Sequence, residues 1–351
     1  MPSNIIVYAY PLLKWVSFSF IAQKHVQQLK RYYVVREVDE RLAYMSILSS
    51  PNTVLLHPYF LNIPYVIERA LKFVKHHPPI IGVDVADSDH ITEDAVKQTQ
   101  YATAIIVPST FSKNAYVNSG TKVPVHVIPH GVDQLWLTLP KQKPTTFKPL
   151  QDYTCKNGKK VITSWILHSP YRKGEDILYK VYEKLRKERD DIILAVRRER
   201  TLNVYDETTS YPIFSIPHGI LPDNQIMELF DQCDIYLLTS RGGAFEHPTL
   251  QAMARNVIPL ATEGGAWQDY IPSNLLVPYT CKPKVFENNP THDGCGVEMD
   301  VEKAVSKLHE ILDNLEEYKA QVNEYNITCV KEKFTWEKIG TQLKDIIALY
   351  S

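Results

Sequence analysis

The chain has 351 residues, more than the roughly 250–300 over which a single hydrophobic core keeps growing, so two domains are expected. With 44% hydrophobic and 23% charged residues, its composition excludes a disordered or fibrous chain. Its 39 basic and 40 acidic residues nearly cancel, which excludes the basic footprint of a chain built to bind nucleic acid.

Near the start, the apolar stretch 12–22 is interrupted by Lys14 and lacks a small-residue cleavage site. It is shorter than the about 20 residues needed to cross a bilayer, and it reads as an amphipathic first helix. Residues 5–8, 53–57, 80–84 and 104–108 are short apolar runs, as expected of parallel strands buried on both faces. Between them, residues 65–76 carry Val66, Ala70, Leu71 and Val74 at helical spacing. Such alternation predicts an α/β domain with crossover connections.

A break follows at 139–157, where LPKQKPTTFKPLQDYTCKN holds three prolines, several lysines and no apolar periodicity. The alternation then resumes, with strands predicted at 161–166, 192–196, 213–216, 234–239 and 257–261. Helices are predicted at 175–188, 224–232 and 248–254, then at 301–318 and 335–350. The expected organisation is a Rossmann-like domain over 1–145, a second over 146–330, and a last helix within 331–351. Cys155, Cys233, Cys281, Cys295 and Cys329 are widely spaced, which suits scattered reduced thiols in a cytoplasmic protein. No His and Cys cluster at zinc-ligand spacing, so no metal site is expected.

In open α/β sheets ligands bind beyond the carboxyl ends of the strands, so the segments after each strand carry the functional reading. After the strand at 161–166 comes HSPYRKGEDIL, with Arg172, Lys173 and Gly174 opening a helix. Two cations before a helix N-terminus suit a phosphate, and a solvated basic turn is the plain alternative. After 234–239 comes TSRGGAFEHP. Gly242 and Gly243 permit a tight turn, and Glu246 is a carboxylate suited to vicinal sugar hydroxyls. A structural glycine turn capping a core helix is the alternative there. After 80–84, Asp84, Asp87, Asp89 and His90 form an acidic loop that either contacts substrate or is simply solvated. Tyr10 and Lys14 follow the first strand, and His57 reads as a satisfied edge histidine.

Taken in order, VPSTFS at 107–112, IPHGVD at 128–133, RKGEDIL at 172–178, HGILPDNQIMELFDQCDIYLLTS at 218–240 and FEHPTLQAMA at 245–254 resemble the retaining GT-B glycosyltransferases of the group 1 family. FTWEKIG at 334–340 resembles that family's last helix, which crosses back to the first domain. The resemblance covers roughly residues 100–350. It implies an α/β, GT-B architecture of two Rossmann-like domains facing a central cleft. It also implies metal-independent transfer of a hexose, with retention, from a UDP- or GDP-linked nucleotide-diphospho sugar to an acceptor hydroxyl.

By the same resemblance Lys173 holds the diphosphate, and His168 stands where the family usually has Arg. Neighbouring Arg172 is then the candidate for the second cation. Gly219, Ile220 and Leu221 match the stretch that reads the base, while Gly242, Gly243, Ala244 and Phe245 form the donor-side turn. The family's Glu pair, separated by seven residues, falls on Gly243 and Gln251, so neither carboxylate is present. Glu246, three residues on, is the candidate replacement. The first domain would supply the acceptor side, with Asp84, Asp87, His90 and Tyr10 as candidates. A glycan, lipid or protein acceptor all fit, no nucleic acid is expected, and the basic helix at 180–189 is a candidate for peripheral membrane contact. The missing Glu pair also suits a second reading, a non-catalytic nucleotide-sugar-binding subunit of the same fold.

Overall fold

A computed structural model describes residues 5–14, 16–49, 51–60, 66, 69–70, 72–74, 77–141, 158–198, 213–216 (backbone only) and 221–351. Half of the predicted helix at 65–76, and residues 142–157 of the predicted break at 139–157, fall outside these residues. Two compact units are present: 1–131 with 286–294 and 333–351, and 132–285 with 295–332.

The first unit holds a parallel six-stranded sheet of β1 (Ile5–Tyr10), β2 (Val34–Asp39), β3 (Thr53–Leu56), β4 (Ile80–Val83), β5 (Ala104–Val107) and β6 (Val125–Val127). Its order is β2-β1-β3-β4-β5-β6. Side chains alternate across β1. Ile6, Tyr8 and Tyr10 enter one apolar cluster, and Val7 and Ala9 enter the other. The first cluster is closed by α1 (Ser17–Leu29) and the C-terminal helix Trp336–Tyr350, through Ile21, Val26 and Leu29 against Trp336, Ile339 and Leu343. Each fully buried side chain of this kind contributes on the order of 1.5–3 kcal/mol. The helix predicted at the N-terminus therefore starts later than expected, at Ser17. Ser109 caps α4 (Thr110–Asn118), accepting from the Ser112 N–H at 3.1 Å. Upstream lie the short helices α2 (Ala43–Leu48) and α3 (Glu93–Thr99).

The second unit begins with α5 (Gln134–Thr138) and builds another parallel six-stranded sheet. Its strands are β7 (Lys160–Ile166), β8 (Ile192–Arg198), β9 (Ile213–Ile216), β10 (Ile235–Leu238), β11 (Ile258–Thr262) and β12 (Leu276–Val277), in the order β12-β11-β10-β7-β8-β9. All residues of β8 and β10 are buried, which suits the apolar runs at 192–196 and 235–238. The helices are α6 (Glu175–Glu188), α7 (Asp223–Phe230), α8 (His247–Ala254), α9 (Val301–Asp313) and α10 (Leu315–Tyr325). On α6, Ile177, Leu178, Val181, Tyr182 and Leu185 are buried, the stripe expected at a 3.6-residue period. The single helix predicted over 301–318 is instead α9 and α10, broken at Asn314, whose φ of −121° and ψ of 37° leave the helical region.

Strand order locates the candidate site. From β7 the chain winds outward through β8 and β9, then returns to lay β10 on the other side of β7 and continues to β11 and β12. The winding thus reverses between β7 and β10, and in an open α/β sheet ligands bind at such a reversal. The segments following these two strands are the ones containing Lys173 and Glu246.

Candidate functional site

After β7 the chain turns tightly before α6. His168 and Ser169 have φ of 41° and 50°, and His168 is exposed. Successive turns then close, from the Lys173 N–H to Ser169 O, Gly174 N–H to Tyr171 O, and Glu175 N–H to Pro170 O, each at 3.0 Å. The first N–H of α6 is therefore already engaged, rather than open as the sequence suggests. Gly174 adopts φ 67°, and a Cβ there would collide with Thr239 O. Thr239 Oγ1 donates to Gly174 O at 2.9 Å, so the two loops lie directly against each other. Only glycine fits this crossing without strain.

Arg172 and Arg241 fix the crossing further. Arg172 is buried, and its Nη1 donates to Gly242 O at 3.2 Å. The Arg241 N–H donates to Arg172 O at 2.7 Å. The Arg241 guanidinium donates to both oxygens of Asp176 (2.7 and 2.8 Å), to Glu298 Oε2 (2.8 Å) and to Tyr171 O (2.7 Å), and it lies 4.2 Å over the Tyr171 ring. The Arg241 hydrogen bonds hold the Asp176 carboxyl below the usual carboxylate range. Glu175 lies 3.5 Å from Arg198. Both acids of the first turn of α6 are thus matched by arginines.

Lys173 Nζ lies 2.6 Å from both Glu246 oxygens, with the two side chains only 13% and 5% exposed. Glu246 precedes α8 in the left-handed region, φ 63° and ψ 61°. That conformation costs a non-glycine residue about 1–3 kcal/mol and persists only where its surroundings impose it. Here Tyr270 Oη donates to Phe245 O (2.7 Å) and Glu246 O (2.9 Å), and the Phe245 ring sits 4.8 Å from that of Tyr270. The Glu246 carboxylate rests where a side chain at position 243 would begin, since a Cβ on Gly243 would run into Glu246 Oε1. A carboxylate from residue 246 thus occupies the space beside a position that lacks one. Gly242, Gly243, Ala244 and Phe245 are buried in this turn, and Gln251 is buried in α8. Leu221 precedes α7, whereas Gly219 and Ile220 lie outside the described residues.

Sequence reasoning missed Arg241, Arg197 and Arg198. The only available signal for Arg241 was its place directly before the glycine pair. Arg197 and Arg198 end β8, pairing in register with Trp165 and Ile166 of β7. Both are buried; the Arg197 guanidinium stands 4.2 Å over the Trp165 ring and that of Arg198 5.1 Å over Tyr179. Strand-end residues announce themselves only once the register is known.

The acceptor-side candidates lie at the ends of two strands, β1 and β4. Tyr10 ends β1 and donates to Glu37 at 2.6 Å. Lys14 pairs with Glu40 at 3.0 Å. Asp87 is half-buried, and His90 is exposed with Nδ1 3.0 Å from Asp89. The segment 286–294 packs on this loop, where Thr92 N–H donates to Thr291 O at 2.9 Å and Gly294 N–H to Ser88 Oγ at 3.1 Å. His57 is no edge residue: it follows β3, between β1 and β4, and is buried with Nδ1 3.1 Å from Tyr8 Oη. Tyr8 Oη also lies 2.8 Å from His25 Nδ1, and burial pushes His25 down to about 3.

Asp84 is buried rather than solvated, and it accepts from the Phe60 N–H (2.8 Å) and the Val85 N–H (2.7 Å). Burial nevertheless outweighs these bonds and pushes its carboxyl up to about 7. In the unfolded chain the carboxyl ionises near 3.8. Between those values the folded state carries the extra proton, so this group's contribution to stability is full below about pH 4 and falls as pH rises toward 7. Melting temperatures of wild type and Asp84→Asn should therefore change in wild type's disfavour between pH 5 and pH 8. A constant difference across that range would contradict the assignment.

Among the described residues, no group of three or more His, Cys, Asp or Glu converges as metal ligands, and no helix is long and apolar enough to cross a membrane. No established protein-family profile matches the chain. It is 34% identical to "Uncharacterized protein 356" of Sulfolobus islandicus rod-shaped virus 1, over 99% of each chain. It is 29% identical to "Putative glycosyltransferase 45" of a Sulfolobus islandicus filamentous virus, over 79% of this chain and 76% of that protein. Among solved structures, a glycosyltransferase from Rickettsia africae ESF-5 superposes with a TM-score of 0.69 at 14% identity, over 100% of this chain and 99% of that one. The fold is the α/β, two-domain GT-B fold of glycosyltransferases.

Proposed function

From a chain that belongs to the family of protein 356 of the Sulfolobus rod-shaped virus and has the GT-B fold, we propose a glycosyltransferase that takes a nucleotide-diphospho sugar in its second unit. The observation that carries this reading is the Lys173–Glu246 pair at the reversal point between β7 and β10. One loop brings a cation suited to a diphosphate, and the other brings a carboxylate suited to sugar hydroxyls. The filamentous-virus relative, named as a glycosyltransferase, supports the same activity.

Transfer proceeds with retention. The acceptor oxygen bonds to the anomeric carbon on the face from which the diphosphate oxygen leaves, and the acceptor proton passes to the departing phosphate. Negative charge grows on the diphosphate during the step, and a preorganised cation lowers its energy there more than water does. Lys173 is that cation. Arg172, with its Nη1 on Gly242 O, positions the glycine turn, and Arg241 holds the two loops together. The donor is a UDP- or GDP-linked hexose, and no metal is required. The acceptor hydroxyl belongs to a glycan, a lipid or a protein, and the enzyme works in the cytoplasm.

A thermal-unfolding panel of nucleoside diphosphates and their sugars tests this. At a hundredfold excess over Kd, a ligand of the folded state adds about 2.7 kcal/mol, so the matching base should raise the melting temperature by several degrees. No shift with any UDP, GDP or ADP compound would end the reading. Glycine at 243 and glutamine at 251, where the group 1 family that the sequence resembles has Glu, favour one alternative, a subunit that binds the nucleotide sugar without turning it over. It would show the shift but release no diphosphate.

A further inference from the structure

Lys173 cannot give its full charge to a diphosphate while both oxygens of Glu246 lie 2.6 Å away. Something must draw the carboxylate off. Two features make Glu246 the movable partner. Its carboxylate leans on the bare Cα side of Gly243, with no side chain there to wall it in, whereas its backbone is pinned by Tyr270. Movement is thus confined to the side chain. Vicinal hydroxyls of a sugar offer a carboxylate two hydrogen bonds in place of the ammonium, whereas a bare nucleoside diphosphate offers its sugar pocket none.

Resting on the donor assignment above, we infer that Glu246 is a sugar-sensing latch on Lys173, the residue by which the site tells a nucleotide sugar from the bare nucleoside diphosphate. With the sugar bound, its hydroxyls take the carboxylate and Lys173 turns to the diphosphate. Once the sugar has been transferred the hydroxyls are gone, Glu246 recaptures Lys173, and the product diphosphate is expelled. Glu246 is therefore a specificity determinant, and it acts on product release as well as on donor binding.

Calorimetric titration with inorganic pyrophosphate, UDP and GDP tests the latch in wild type, Glu246→Gln and Gly243→Ala. Glu246→Gln removes the charge but keeps the shape. Gly243→Ala keeps the carboxylate but pushes it from its seat, and it carries the test if the first variant does not fold. Both variants should bind pyrophosphate and the matching nucleoside diphosphate at least tenfold tighter than wild type, and both should lose preference for the nucleotide sugar. Adding Lys173→Ala to Glu246→Gln should abolish the gain. Unchanged or weaker pyrophosphate binding in folded variants would overturn the latch, even if wild type transfers sugar from a nucleotide donor. Conversely, a tenfold gain for pyrophosphate with no binding of any nucleotide sugar would show that Glu246 masks Lys173 but would overturn the donor assignment and with it the sugar-sensing role.

Discussion

Lys173→Ala should lower glycosyl transfer by about 10²–10³-fold, the loss typical when one preorganised charge-stabilising group is removed from an active site. The effect should fall on kcat as well as on donor binding, because the charge on the diphosphate is greater in the transition state than in the bound donor. The substitution also strands Glu246, only 5% exposed, without its cation. Breaking a buried pair from one side costs about 3–5 kcal/mol, so lowered activity alone could reflect a loosened turn. The double variant Lys173→Ala/Glu246→Gln separates the two effects. It should recover most of the lost melting temperature and remain inactive. Transfer at the wild-type rate in either variant would remove Lys173 from the chemistry.

Arg255→Ala should be among the most destabilising single changes in the second unit, by about 3–5 kcal/mol. Arg255 follows α8, and its side chain and that of Asp231 are 3% and 1% exposed. Its guanidinium meets Asp231 through Nε and Nη2, both at 2.8 Å. The other N–H groups donate to the carbonyls of Trp136 (2.9 Å), Leu139 (2.9 Å) and Pro140 (3.1 Å). All five donors of the arginine fork are used. One side chain therefore joins the ends of α7 and α8 to α5 and the residues just after it. Removing it leaves a buried carboxylate and three carbonyls without this partner. For a domain of this size the melting temperature should fall by on the order of 10 °C. Arg255→Lys should rescue little, since an ammonium has three donors and no fork. A melting temperature within a degree or two of wild type would show that the network contributes little.

Much of the fold was legible because parallel strands buried on both faces read as apolar runs, and β4, β5 and β10 did so. β2 did not: VVREVD places charges along an edge strand, so no continuous run forms. β6 is only three residues long. The excursion of 286–294 into the first unit has no local signature, because it is defined by partners some two hundred residues away, such as Thr92 and Pro290.

The candidate site was legible in its parts. Lys173, Gly174 and Glu246 stood out because a glycine and a charge after a strand are informative at short range. Their meeting was not legible, since residues 173 and 246 touch only because β10 returns to the side of β7. The burial of Asp84 was not legible for a related reason: in sequence it stands in an acidic loop, yet its carboxyl accepts the Phe60 and Val85 N–H groups at the end of β4.

The most direct test is a crystal structure of the protein with a non-transferable analogue of its nucleotide sugar. The account predicts the diphosphate at the reversal point of the second sheet, within hydrogen-bond reach of Lys173 Nζ. A diphosphate bound elsewhere, with Lys173 still closed on Glu246, would contradict it.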